Sequence, residues 1–87
     1  MQRIKYIDIG KGIYKSKYTY TSLTTGANYI VFLDTQNMTF RIKNVLRNNN
    51  VVFGGKGITN LRVLKRNAKK ALAKLGVQFD LEIRKID

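Results

Sequence analysis

NLRVLKRNAKKALAKLG, residues 60–76, is the stretch on which the fold turns. Apolar side chains recur in it every three or four residues. Leu61, Leu64, Ala68, Ala71, Leu72 and Leu75 fall within an arc of about 100° on a helical wheel, wide enough to seat a helix on a sheet. Thr59 or Asn60 supplies an N-cap, and Gly76 is placed to end the helix in a left-handed conformation. The opposite half of the wheel carries Arg62, Lys65, Arg66, Lys69, Lys70 and Lys74 with no acid among them. Like charges meet there at spacings of three and four, and six such pairs at a few tenths of a kcal/mol each cost about 1 to 3 kcal/mol at low salt. The helix dipole offsets part of this for Lys70 and Lys74 near the C-terminal end and works against Arg62 in the first turn. A solvated helix face normally mixes signs, and one glutamate four residues away would relieve the repulsion. Phosphates would relieve it as well, with release of condensed counterions.

Outward from the helix the chain reads as strands. Residues 13–22 alternate, with Tyr14, Tyr18 and Tyr20 on one side and Lys15, Lys17, Thr19 and Thr21 on the other. After a turn at Thr24-Thr25-Gly26-Ala27, residues 29–33 (YIVFL) are apolar on both sides, which suits a central strand and would also fit a dimer interface. Asp34-Thr35-Gln36-Asn37 has the side chains of a reversal, and Met38, Phe40 and Ile42 then alternate with Thr39, Arg41 and Lys43. Together these predict a three-stranded meander. Short flanking strands are expected at residues 4–9, where a mobile arm is the alternative, and at 51–53 after a polar corner at 47–50. A closing strand is expected over 77–83, and soft points at Gly10-Lys11-Gly12 and Asn48-Asn49-Asn50. The expected class is α+β: an antiparallel sheet packed by one amphipathic helix, with a C-terminal strand.

Composition bounds the function. The 87 residues hold 17 Lys and Arg against 5 Asp and Glu, a net charge of +12 and a pI near 10.3, a balance beyond what solubility asks of a small domain. Thirteen of those cations and a single acid, Asp34, lie between Ile9 and Phe79. The length suits one domain, residues 1–87, burying roughly 60 to 65% of the surface its unfolded chain exposes. Cysteine and histidine are absent, which excludes disulfides, thiolate metal sites and the commonest general base, so neither a metal nor another cofactor is expected. The longest apolar run, residues 29–33, is far short of the roughly 20 residues a spanning helix needs, and the first residues form no apolar signal region. A cytoplasmic protein without a membrane partner is expected.

Three smaller features have a chemical and a structural reading. Gly54-Gly55-Lys56-Gly57-Ile58-Thr59 lies between a strand and a helix start, where backbone N–H groups and Lys56 could hold a backbone phosphate; its spacing is not that of a Walker loop, and a turn followed by a cap is preferred. Tyr14, Tyr18 and Tyr20 could stack on bases, but they face away from Lys15 and Lys17 and are read as core or edge residues. Asp80 and Glu82 lie two apart near Arg84, an arrangement similar to that of metal-dependent nucleases, but Glu82-Ile83-Arg84 lacks the lysine of the Glu-x-Lys pattern. They are read as solubilising acids, and no enzymatic activity is expected.

Residues from Thr59-Asn60-Leu61 to Gly76-Val77-Gln78-Phe79 resemble small basic proteins encoded by phages, over about a quarter of the chain. That resemblance implies a viral, phage-type role and a place in the host cytoplasm. The meander followed by a helix is similar in outline to the sheet-reading DNA-binding domains of the AP2 and integrase-arm type, which lay a sheet face in the major groove; the strand expected after the helix departs from that pattern. The charge distribution itself predicts a non-enzymatic nucleic-acid-binding domain, with double-stranded DNA the first partner and RNA the second. Phosphate contacts are expected from Arg62, Lys65, Arg66, Lys69, Lys70 and Lys74, with Lys56 nearby. Lys15, Lys17, Arg41 and Lys43 form a second basic surface or the true reading face. Lysines outnumber arginines on the helix, so sequence preference is expected to be weak. The alternative is an interaction protein, a phage-type inhibitor or virion component, that docks its basic face on an acidic partner.

Overall fold

Alternation of apolar and polar residues is resolved by burial in the middle of the chain, where Tyr29, Val31, Leu33, Phe40 and Ile42 all turn to one side and are buried. A computed structural model describes residues 3–78. In it six strands, β1 (Tyr6–Gly10), β2 (Ile13–Ser16), β3 (Tyr20–Thr21), β4 (Asn28–Asp34), β5 (Thr39–Asn44) and β6 (Asn49–Gly54), precede one helix, α1 (Leu61–Lys74). The sheet is antiparallel in the order β1-β2-β4-β5-β6, with β3 also paired to β4. α1 lies on one face, against β4 and β5. The protein is therefore α+β, and β4 is the central strand that its two-sided apolar run predicts.

The helix forms where its pattern places it. Asn60 is the cap: its side-chain oxygen accepts a hydrogen bond from the Arg62 N–H at 2.8 Å. At the other end Gly76 N–H donates to the Ala73 carbonyl and Val77 N–H to the Leu72 carbonyl, with Gly76 at φ +99°. This is a Schellman closure, sealed by apolar contact of Val77 and Leu72 in the core. Leu64, Ala68 and Leu72 are fully buried, and Leu61, Ala71 and Leu75 pack around them.

The expected single strand over residues 13–22 is instead two. β2 pairs with β4 as far as Lys15↔Phe32, and β3 resumes at Tyr20↔Tyr29, so four residues of one strand oppose two of the other. Ser16 accounts for the break: its buried hydroxyl accepts from the Val31 N–H at 3.1 Å and donates to the Tyr18 carbonyl at 2.9 Å. The side chain thereby satisfies a ladder group that the looped-out backbone leaves unpaired. In consequence Tyr14 and Tyr20 pack on the core as expected, whereas Tyr18 is exposed. A second correction concerns the polar corner. Asn49 and Asn50 belong to β6, and the reversal sits at residues 45–48, with Asn48 at φ +56°. The first strand is a strand and not an arm, joined to β2 through Gly10-Lys11-Gly12, all three at positive φ. The closing strand expected over 77–83 falls, beyond Gln78, outside the described residues.

The turns at the two ends of β4 are held by side chains. Ser22 Oγ accepts from the Thr24 and Thr25 N–H groups, and the Leu23 N–H donates to the Gly76 carbonyl, which ties the end of α1 to this turn. At the other end Asp34 accepts from the Gln36 and Asn37 N–H groups and from the Asn37 amide. These bonds, the Asn37 side chain first, hold its carboxyl below the ordinary aspartate range.

Tyr6 sits on the helix side of β1, with Lys65 Nζ 5.8 Å from its ring centroid. Its hydroxyl is buried without a hydrogen-bond partner, and burial pushes its ionisation well above the ordinary tyrosine range. A folded-state pKa raised in this way contributes stability that is complete below about pH 10 and is lost as the pH climbs from there toward the folded value. Tyr6→Phe removes both the orphan hydroxyl and the titration. It is expected to raise stability at pH 7 by about 1 kcal/mol and to move alkaline unfolding to higher pH. Denaturant melts at neutral pH and a circular-dichroism pH titration check the two effects separately.

Candidate nucleic-acid interface

α1 separates its residues by chemistry because the sheet covers only one side of it. Arg62, Lys65, Arg66, Lys70 and Lys74 are exposed on the side away from the core, and Lys69 is half-buried. The first turn holds no acid, and the last turn ends on Lys74. The described residues contain only two acids, Asp8 and Asp34, and both carboxylates accept hydrogen bonds from the backbone of their own turns.

The second basic group is divided by the strand register. Lys15 pairs with Phe32, Phe32 with Arg41, and Ile30 with Lys43, so Lys15, Arg41 and Lys43 share the face of the sheet turned away from α1. Lys17 lies beyond β2 in the looped-out segment, 5.6 Å from the Tyr18 ring centroid. The two cationic groups thus stand on opposite sides of the molecule. One flat ligand surface cannot engage both.

Lys56 is exposed in the turn between β6 and α1, where the Ile58 N–H donates to the Gly55 carbonyl. The segment is a turn followed by a capped helix, in line with the preferred reading of the glycine run. Asp80, Glu82 and Arg84 lie outside the described residues. Among the described residues no cluster of His, Cys, Asp and Glu could hold a metal ion, and no helix is long and apolar enough to cross a membrane.

Two residues of interest were not singled out by sequence reasoning. Phe53 and Phe32 stand on the outer face of the sheet with the cations: Arg41 pairs in register with both, and its guanidinium carbon lies 4.5 Å from the Phe32 ring centroid. Phe53 is 71% exposed, next to Leu46 the most exposed large hydrophobic residue. The available signal was weak. Val51-Val52-Phe53 must turn alternate side chains outward on any sheet, but nothing local says which ones or what stands beside them.

Comparisons with protein-family models, curated proteins and solved structures find no match to this chain, so the functional reading rests on its own charge distribution and surface chemistry.

Proposed function

We propose that the protein is a non-enzymatic nucleic-acid-binding domain whose helix face contacts phosphates, with double-stranded DNA as its first ligand. One observation carries the reading: the fold buries Leu64, Ala68 and Leu72 and so presents Arg62, Lys65, Arg66, Lys70 and Lys74 together on the exposed side of a rigid element. Holding these cations side by side costs repulsion that a phosphate backbone relieves. Lysines act there as point charges, so affinity depends strongly on salt and weakly on sequence. The phage-type role implied by the resemblance of residues 59–79 is compatible with such a domain.

The test is fluorescence anisotropy on labelled duplex DNA between about 50 and 200 mM salt. Five phosphate contacts predict a slope of log affinity against log salt of about −4.5, and changing Lys65, Arg66, Lys70 and Lys74 to glutamate should flatten it by about 3.6 while weakening binding at least a hundredfold at the lower salt. Unchanged affinity in the charge-reversed protein would overturn the helix face as the binding surface. Absence of binding to any polymer, with capture of one acidic protein in its place, would overturn the nucleic-acid reading.

A further inference from the structure

We infer that the outer face of the sheet is a second nucleic-acid site, a stacking platform for the unpaired bases of single-stranded DNA. The inference rests on the nucleic-acid reading above and deepens it, since it assigns a different form of ligand to a different face. Register places Ile7, Lys15, Phe32, Arg41 and Phe53 in one row across five strands, β1, β2, β4, β5 and β6. Neighbouring strands are about 4.8 Å apart, so Phe32 and Phe53, with Arg41 between them, stand about 10 Å apart at the backbone. An exposed phenylalanine beside a guanidinium seated over a second ring offers two successive flat surfaces. Aromatic rings and arginine planes are the groups on which unpaired bases stack.

The rest of the face fits a strand laid across it. Phe53, Arg41, Thr39 and Ile13 line a hollow of about 310 Å³ that opens beside the Asp34–Asn37 turn. Asp34 is the acid at that end, and its carboxylate is occupied by the Gln36 and Asn37 amides. Lys15 lies in the row beyond Phe32, and Lys43, opposite Ile30, stands two residues along β5 from Arg41 on the side away from Asp34. Charge therefore directs bases to the Phe53 hollow and the phosphates that follow them toward Lys15 and Lys43. A duplex cannot use this platform, because its bases present edges and not faces. Deoxyribose is the sugar assigned to this face because the helix face of the same molecule is assigned duplex DNA, whose unpaired stretches the platform would take.

The tyrosines weighed for stacking are not the platform. Tyr14 and Tyr20 are on the core side of the sheet, and the rings that share a face with the cations are phenylalanines two strands apart.

The chain has no tryptophan, so Phe53→Trp provides a single fluorescent reporter at the proposed stacking position. An oligo-dT of about 10 nucleotides, within the site size of such platforms, is expected to quench it, whereas a duplex of the same length should bind without quenching. Phe53→Leu, which keeps an apolar side chain at this exposed position, should weaken oligo-dT binding about tenfold or more and leave duplex affinity within about twofold. The converse holds for the helix charge reversal, which should weaken duplex more than oligo-dT. Equal oligo-dT affinity in the wild type and Phe53→Leu, or no quenching on saturation, would overturn the platform while leaving duplex binding by the helix intact. An oligo-U bound about tenfold tighter than oligo-dT would overturn DNA as the occupant. Failure of the wild type to bind either oligo-dT or duplex would remove the underlying nucleic-acid reading itself.

Discussion

Gly55→Ala is expected to lose about 2 to 5 kcal/mol of stability, a large share of the total for a chain of this length. The residue follows β6 and has φ +102°, a conformation that costs an L-residue about 1 to 2 kcal/mol. Space is the larger obstacle. A β-carbon there would lie 2.6 Å from the Met38 carbonyl oxygen and 2.8 Å from Thr39 Cα, with Leu64 Cδ1 at 3.0 Å. Two of these are backbone atoms at the start of β5, so relief requires shifting the sheet or the helix, an overpacking cost of about 1 to 3 kcal/mol. Gly57→Ala is the matched control. It has φ +86° but nothing within 4 Å of the added carbon, so it should lose only the conformational part. Urea melts of both variants decide the matter: equal losses would mean that no close approach of β6 to the β4–β5 turn exists. Such an approach explains why the chain can leave the sheet and begin a helix packed on it within six residues, 55–60.

Leu64→Ala should lose about 2 to 5 kcal/mol, because its fully buried side chain seats α1 on β4 and β5 and the cavity it leaves is lined by two rigid elements. For a chain of this length that is a large share of a total near 4 to 13 kcal/mol, and the melting temperature should fall by about 10 to 30 °C. Thermal unfolding followed by circular dichroism measures it, with Leu61→Ala, half-buried at the helix start, expected to cost less. A small shift for Leu64→Ala would show that the helix is not held by this contact. The outcome bears on function, since the cationic stripe is aligned by the same docking that buries Leu64.

The helix and its division into two faces were legible because every determinant is local. The 3.6-residue period, the Asn60 cap and the Gly76 terminus lie within the segment they control, and each is found where its residue type places it. Burial and exposure of α1 follow from the same period. The turns at Asp34 and at Thr24-Thr25-Gly26-Ala27 were legible for a similar reason, as short side chains there bond to backbone groups two or three residues away.

The strands were legible in kind and less so in extent. Alternation over residues 13–22 is continuous, yet the ladder breaks at Ser16, and the break depends on a hydroxyl bonding to Val31, fifteen residues away. Alternation in Val51-Val52-Phe53 likewise leaves open which side chain meets solvent. The pairing of β5 with β6 shifts register between Ile42 and Lys43, and that irregularity turns Val52 inward and Phe53 outward. The tyrosines attracted notice because they are adjacent to lysines in sequence. The phenylalanines escaped it because Phe32 and Phe53 come next to Arg41 only through two strand pairings.

What the amino-acid sequence determined by itself is thus the α+β class, the helix with its buried and cationic faces, and the excess positive charge on which the proposed nucleic-acid reading rests. Each of these depends on residue spacing within one element or on a sum over the chain, which no tertiary arrangement alters. Only the tertiary structure decided that the sheet cations stand opposite the helix stripe, and that two phenylalanines far apart in the chain flank Arg41. Which side chains share a sheet face is a matter of register, and one added residue in a strand reverses it.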